Sequence, residues 1–224
     1  MKQAGIINRM HKGLRTWLFE TGIKIQETDF LQAEDGKDII AELRNVILVI
    51  ERKSTIDETY VFPVLVKQAP FFVNLMDTEN GRIRKMADQL RGFISYYIEP
   101  GTDAYHLSTG FSIQQVYNDL MGAVLTYMNR MELMLKELES NASSESILNE
   151  LEEAILLNLD FGSIIMPKEW IFKSMNDSEL DQFLSDPAVL KNVWFTKELN
   201  GIARKRSFAR KNNRDGYFMK MAAA

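Results

Sequence analysis

Residues 112–139 read SIQQVYNDLMGAVLTYMNRMELMLKELE. Ile113, Tyr117, Leu120, Val124, Tyr127, Met131, Met134 and Leu138 recur in this stretch by alternating steps of four and three. Those steps place all eight on one face of a helix with 3.6 residues per turn. An amphipathic helix this long cannot bury its stripe alone, so the stretch predicts partner helices elsewhere in the chain.

The partners are legible upstream. A first helix is predicted over roughly 3–27, with Ile7, His11, Leu14 and Leu18 on one stripe. A second covers roughly 34–60, with Ile39, Leu43, Val46, Ile50, Lys53 and Asp57 in register; Pro63 and Pro70 then break the pattern. A third runs roughly 70–98 and carries Phe72, Met76, Asn80, Ile83, Ala87 and Leu90 before Glu99-Pro100-Gly101 ends it. Residues 100–111, including His106, read as a loop. Beyond the polar break SNASSE, shorter helices are predicted near 145–158, 167–175, 177–184 and 187–203. No fixed-period repeat and no sustained strand alternation is present. Four long amphipathic segments in sequence predict an all-α chain built as an up-down-up-down four-helix bundle with short C-terminal helices.

Composition narrows the function classes. The 224 residues are 46% hydrophobic and 26% charged, values of an ordinary globular protein. With no cysteine there is no disulfide, thiolate metal site or thiol nucleophile, which suits a reducing cytoplasm. No stretch approaches the roughly 20 apolar residues of a membrane span, and the N-terminus lacks the apolar run of a signal peptide. A net charge of −4 gives no global reason to expect nucleic acid. The local exception is the C-terminal stretch with Arg204, Lys205, Arg206, Arg210, Lys211 and Arg214, a candidate patch for an anionic partner. With only two histidines, His11 and His106, an all-histidine metal site is excluded. Phosphate loops, dinucleotide fingerprints, nucleophile elbows, zinc-ligand spacings and EF-hands are absent.

The informative oddity is polar or unusual residues on the apolar stripes. His11 sits on the first helix, Lys53 and Asp57 on the second, Asn80 on the third with Glu79 beside it, and Tyr127 and Met131 on the fourth. Such residues, one set per helix at comparable depth, predict a shared internal site, because a buried charge is costly unless paired.

Several segments, taken in order, resemble the bacterial hemerythrin-like (cation-binding) family. MHKGLRTWLFETGIKIQETDF (10–30) looks like its first helix, and VILVIERKSTIDETYVFPVLVKQAP (46–70) like its second. FFVNLMDTENGRIRKM (71–86) is similar to the third, YMNRMELMLKEL (127–138) to the fourth, and EWIFKSMNDSELDQFL (169–184) to the extension. The resemblance implies a four-helix bundle in which imidazoles and carboxylates converge on two irons. Carried over by position, His11 stands at the first-helix ligand. Lys53 replaces the second-helix histidine, with Asp57 at its carboxylate partner. Asn80 replaces the third-helix histidine, and Tyr127 and Met131 replace the fourth-helix histidine and carboxylate. An alternative register using Asn158 and Gly162 leaves the Tyr127 helix unexplained.

These six positions, His11, Lys53, Asp57, Asn80, Tyr127 and Met131, are therefore expected to be vestigial, with no catalytic residues, no metal and no cofactor. Lys53 is expected to pair with Asp57 in place of the metal's charge, within a polar core. The plainer readings are a satisfied helix histidine at His11, a Lys53 reaching solvent past the rim, core packing for Tyr127 and Met131, and an exposed His106. Glu132, Glu139, Glu150, Glu152 and Glu153 read as a solvated acidic face. The expected organisation is a bundle over 1–140, a packed helical extension over 141–203 and a basic tail over 204–224. The expected function is a non-catalytic binding or sensing module for a protein or small-molecule partner in the cytoplasm. The alternative is a carboxylate-rich iron or manganese protein, an oxygen or redox handler drawing on His11, Asp57, Glu58, Glu79 and Glu132. A further alternative is a module meeting nucleic acid or acidic protein through residues 204–214. The sequence leaves open whether two copies pair.

Overall fold

A computed structural model describes residues 5–98, 103–140, 146–151, 170 and 173–185. Among them there are helices and short connections, and no strand. Helix α1 spans Gly5–Glu27 and α2 spans Ala33–Ile56; a single π-turn over Asp57–Val61 leads into α3, Phe62–Leu65. Helix α4 spans Pro70–Ile98, α5 spans Asp103–Glu139, and α6 spans Asp177–Leu184. Main packing contacts join α4 to α5, α1 to α5 and α2, and α2 to α4.

The stripes read from the sequence form the interior. Leu14, Leu18, Leu43, Val46, Met76, Ala87, Leu90, Ile113, Leu120 and Val124 are all buried in one apolar cluster. Each fully buried Leu-sized side chain contributes about 1.5–3 kcal/mol relative to exposure, which decides which face of each helix turns inward. Hydrogen bonds tie the helices to one another across the interior. The Tyr117 hydroxyl donates to the Leu18 carbonyl at 2.6 Å, and the Trp17 indole donates to Glu42 at 2.6 Å.

Two boundaries differ from the sequence reading. The second helix does not end before Pro63. The amide of Phe62 donates to the carbonyl of Asp57, a π-type bond, and Pro63 occupies the first turn of α3. Proline has no N–H to offer the preceding turn, and one wide turn absorbs the mismatch without breaking the rod. The predicted loop over 100–111 is replaced from Asp103 onward by the first turns of α5, so His106 is helical. Its ring stands edge-on to Tyr97, with centroids 5.2 Å apart, and is half-buried rather than exposed.

The C-terminal extension touches α1. Trp170 stacks on Trp17 at 5.8 Å between centroids, Lys173 bonds Glu20 at 2.6 Å, and Lys12 bonds Glu179 at 2.8 and 2.6 Å. Helix α6 begins with a reciprocal cap. The amide of Glu179 donates to the Asn176 side chain at 2.9 Å, and the amide of Asn176 donates to the Glu179 carboxylate at 2.7 Å. The predicted helix over 187–203, most of that over 145–158, and the basic patch Arg204, Lys205, Arg206, Arg210, Lys211 and Arg214 lie outside the described residues.

Candidate functional site: a buried polar cluster

All six positions singled out on the stripes are buried. His11 is 1% exposed, Lys53 6%, Asp57 3%, Asn80 1%, Tyr127 2% and Met131 0%. Lys53 therefore does not reach solvent. It occupies the last turn of α2, one helical turn before Asp57 at the start of the π-turn, so the two project from the same face.

Lys53 Nζ forms an ion pair with Asp57 Oδ2. The same Oδ2 accepts the Tyr127 hydroxyl at 2.7 Å, and Nζ stands 4.7 Å from the centroid of the Tyr127 ring. Tyr127 thus serves both members of the pair, its hydroxyl holding the carboxylate and its π-face meeting the ammonium. Burial, and then the negative charge of Asp57, pushes the Tyr127 phenol far up, so it stays protonated and donates to the carboxylate. Ser54 Oγ donates to Asn80 Oδ1 at 3.3 Å, tying α2 to α4. Met131 lies in the apolar part of the core.

His11 belongs to a second group of polar side chains. Its Nδ1 lies 2.9 Å from Glu132 Oε1, and Arg15 grips the same carboxylate with two bonds of 2.8 and 2.9 Å. Burial, and then the Lys53 ammonium, lowers the imidazole to about 4 against the upward pull of Glu132 and Asp57. His11 is therefore neutral at pH 7, with its proton on Nδ1 donated to Glu132. Burial raises Glu132, but the bonds from His11 and Arg15 outweigh this and hold it at about 2. His11 Nε2 and Asn80 Nδ2 have no hydrogen-bond partner among the described residues.

Between α1 and the α2 π-turn lies a cavity of about 10 Å³. Its polar walls are His11, Lys53 and Asp57, and Ile7, Met10, Ile56 and Val61 supply the apolar ones. That volume matches roughly one water molecule.

Glu132 is not part of a solvated acidic face, because its carboxylate is shared by His11 and Arg15. The other carboxylates considered as metal donors are each held by a base. Glu58 pairs with Arg84, and Glu79 bonds Arg130 at 3.1 Å. No group of three or more histidine, aspartate or glutamate side chains is placed to hold a metal among the described residues. The donor set does not fit a di-iron centre: the single bare imidazole lines the same cavity as an ammonium, and the carboxylates are already paired with basic side chains. Sequence reasoning missed Arg15. Its position four residues after His11, on the same face of α1, was the available signal.

No family model, curated protein or solved structure matches the chain. Among the described residues no helix is long and apolar enough to cross a membrane.

Proposed function

We propose that this chain is a degenerate hemerythrin-like protein, an up-down-up-down four-helix bundle whose di-iron centre has been replaced by a polar core. In this reading it works as a non-catalytic binding or sensing module for a protein or small-molecule partner in the cytoplasm. The observation that carries the reading is the buried Lys53–Asp57 pair capped by Tyr127. An ammonium in the middle of the polar cluster supplies the positive charge a metal would supply, and it repels any cation that enters. Lys53 has three donors and no lone pair when protonated, so it cannot ligate.

One observation favours the iron or manganese alternative. A carboxylate accepting the Nδ1 proton of an imidazole, as Glu132 does for His11, is the arrangement that orients metal-bound histidines and leaves Nε2 bare. Lys53 on the same cavity weighs against it.

Rebuilding the ligands tests the reading. The combined variant Lys53→His, Asp57→Glu, Asn80→His, Tyr127→His and Met131→Glu, with His11 retained, should gain iron, manganese or cobalt binding, while each change alone gains almost nothing. A folded combined variant that takes up none of these metals would count against the hemerythrin-like register.

A further inference from the structure

We propose that the cavity beside His11 is a binding site for one water molecule, held between Nε2 of His11 and Nζ of Lys53. Three observations converge on it. First, His11 donates through Nδ1 to Glu132, so its neutral ring presents a lone pair at Nε2, and that atom is buried without a partner among the described residues. A buried acceptor left unmade is expensive to keep. Second, His11 and Lys53 line the same cavity, whose volume of about 10 Å³ is close to what one water needs. Third, Lys53 carries three N–H donors, of which the Asp57 carboxylate engages one.

The chemistry selects the occupant. It must give a proton to Nε2 and accept one from Nζ. An anion without hydrogens cannot do the first, and a cation is repelled by the Lys53 ammonium. Water does both, and the remaining walls, from Ile7, Met10, Ile56 and Val61, are apolar and offer it no competing partner. The bound molecule completes a chain from the half-buried Glu132 through His11, water, Lys53 and Asp57 to Tyr127. That chain links α1, α2 and α5 through hydrogen bonds alone. The inference rests on the proposed function in one respect, that no metal occupies Nε2.

The test is nitrogen NMR on full-length protein labelled at histidine. Only His11 and His106 contribute, and the His106→Gln variant assigns them. The wild type should show His11 as the Nδ1–H tautomer at pH 7, with a long-lived water cross-peak to its ring protons. Lys53→Met should keep that tautomer, because Glu132 holds it, and should lose the water cross-peak. An Nε2–H tautomer, a dry ring in the wild type, or a water signal surviving Lys53→Met overturns the site and leaves the proposed function standing. A metal-shifted or paramagnetically broadened Nε2 overturns both. If Lys53→Met does not fold, the wild-type spectrum alone decides.

Discussion

Replacing Lys53 and Asp57 singly and together should expose the polar core as one coupled unit. Asp57→Ala leaves the Lys53 ammonium, 6% exposed, without the carboxylate it pairs with, although the face of the Tyr127 ring still stands beside it. The Tyr127 hydroxyl loses its acceptor as well. Stranding a buried charge costs about 3–5 kcal/mol, and this variant belongs at the upper end. Lys53→Met fills the space of the aliphatic stem and leaves Asp57 with the Tyr127 hydroxyl still donating to it, so its cost should be smaller. Lys53→Met combined with Asp57→Leu removes both charges and packs the space with apolar groups, a change that is often near neutral. The double variant should therefore be more stable than the sum of the single losses by roughly 2–3 kcal/mol, the upper range for side chains in direct contact. Urea unfolding followed by circular dichroism and tryptophan fluorescence measures all four corners, with an unchanged urea slope certifying the comparison. Additive losses would refute the buried pair. So would all three variants lying within about 0.5 kcal/mol of wild type, the range of ordinary surface changes.

Further outcomes follow from the same geometry. Because burial lowers His11 to about 4 from an ordinary 6.5, the fold favours its neutral form. That contribution is fully present above pH 6.5 and is lost as pH falls from 6.5 towards 4, by about 3 kcal/mol in all; His11→Gln should flatten the stability profile across that window, and an unchanged slope would place the ring in solvent. Glu132, held at about 2, should give up its contribution only below pH 4.5. Glycines in α4 and α5 should split into two classes. Gly81→Ala, Gly92→Ala and Gly122→Ala meet nothing within 4 Å and should each raise stability by about 0.5–1 kcal/mol. Gly110→Ala drives a methyl group into the Phe30 ring and should lower it, which thermal melts would resolve. Trp170→Ala should lower the melting temperature slightly while leaving most helical signal intact, since the stack is a C-terminal attachment; a melting temperature identical to wild type would contradict the contact.

Helix legibility followed punctuation. Helix α4 begins at Pro70 and ends at Ile98, and α6 runs from Asp177 to Leu184, both where proline or capping residues announce the ends. The start of α5 was hidden because Ser108, Thr109 and Gly110 look like a turn. Gly110 instead gives the Phe30 ring room against the helix, a packing requirement that leaves no local mark. The π-turn was hidden for a related reason, since Pro63 reads as a stop when one wide turn lets the rod continue.

The candidate site was legible where it depended on helical periodicity. Lys53 and Asp57 are one turn apart, and their pairing follows from spacing. The third dimension was not legible. Glu132 reads in sequence as a solvent-facing charge because its partners, His11 and Arg15, lie more than a hundred residues away in the chain. Nothing in the local spacing marks Arg84 and Arg130 as the partners of Glu58 and Glu79.

The most direct test of the central claim, that an ammonium-centred polar core stands where a metal would, is elemental analysis of full-length protein purified without chelators. Mass spectrometry or X-ray fluorescence for iron, manganese and zinc should find far less than one metal per chain, and the protein should be colourless. Stoichiometric iron, or the absorption bands of an oxo-bridged pair, would contradict it.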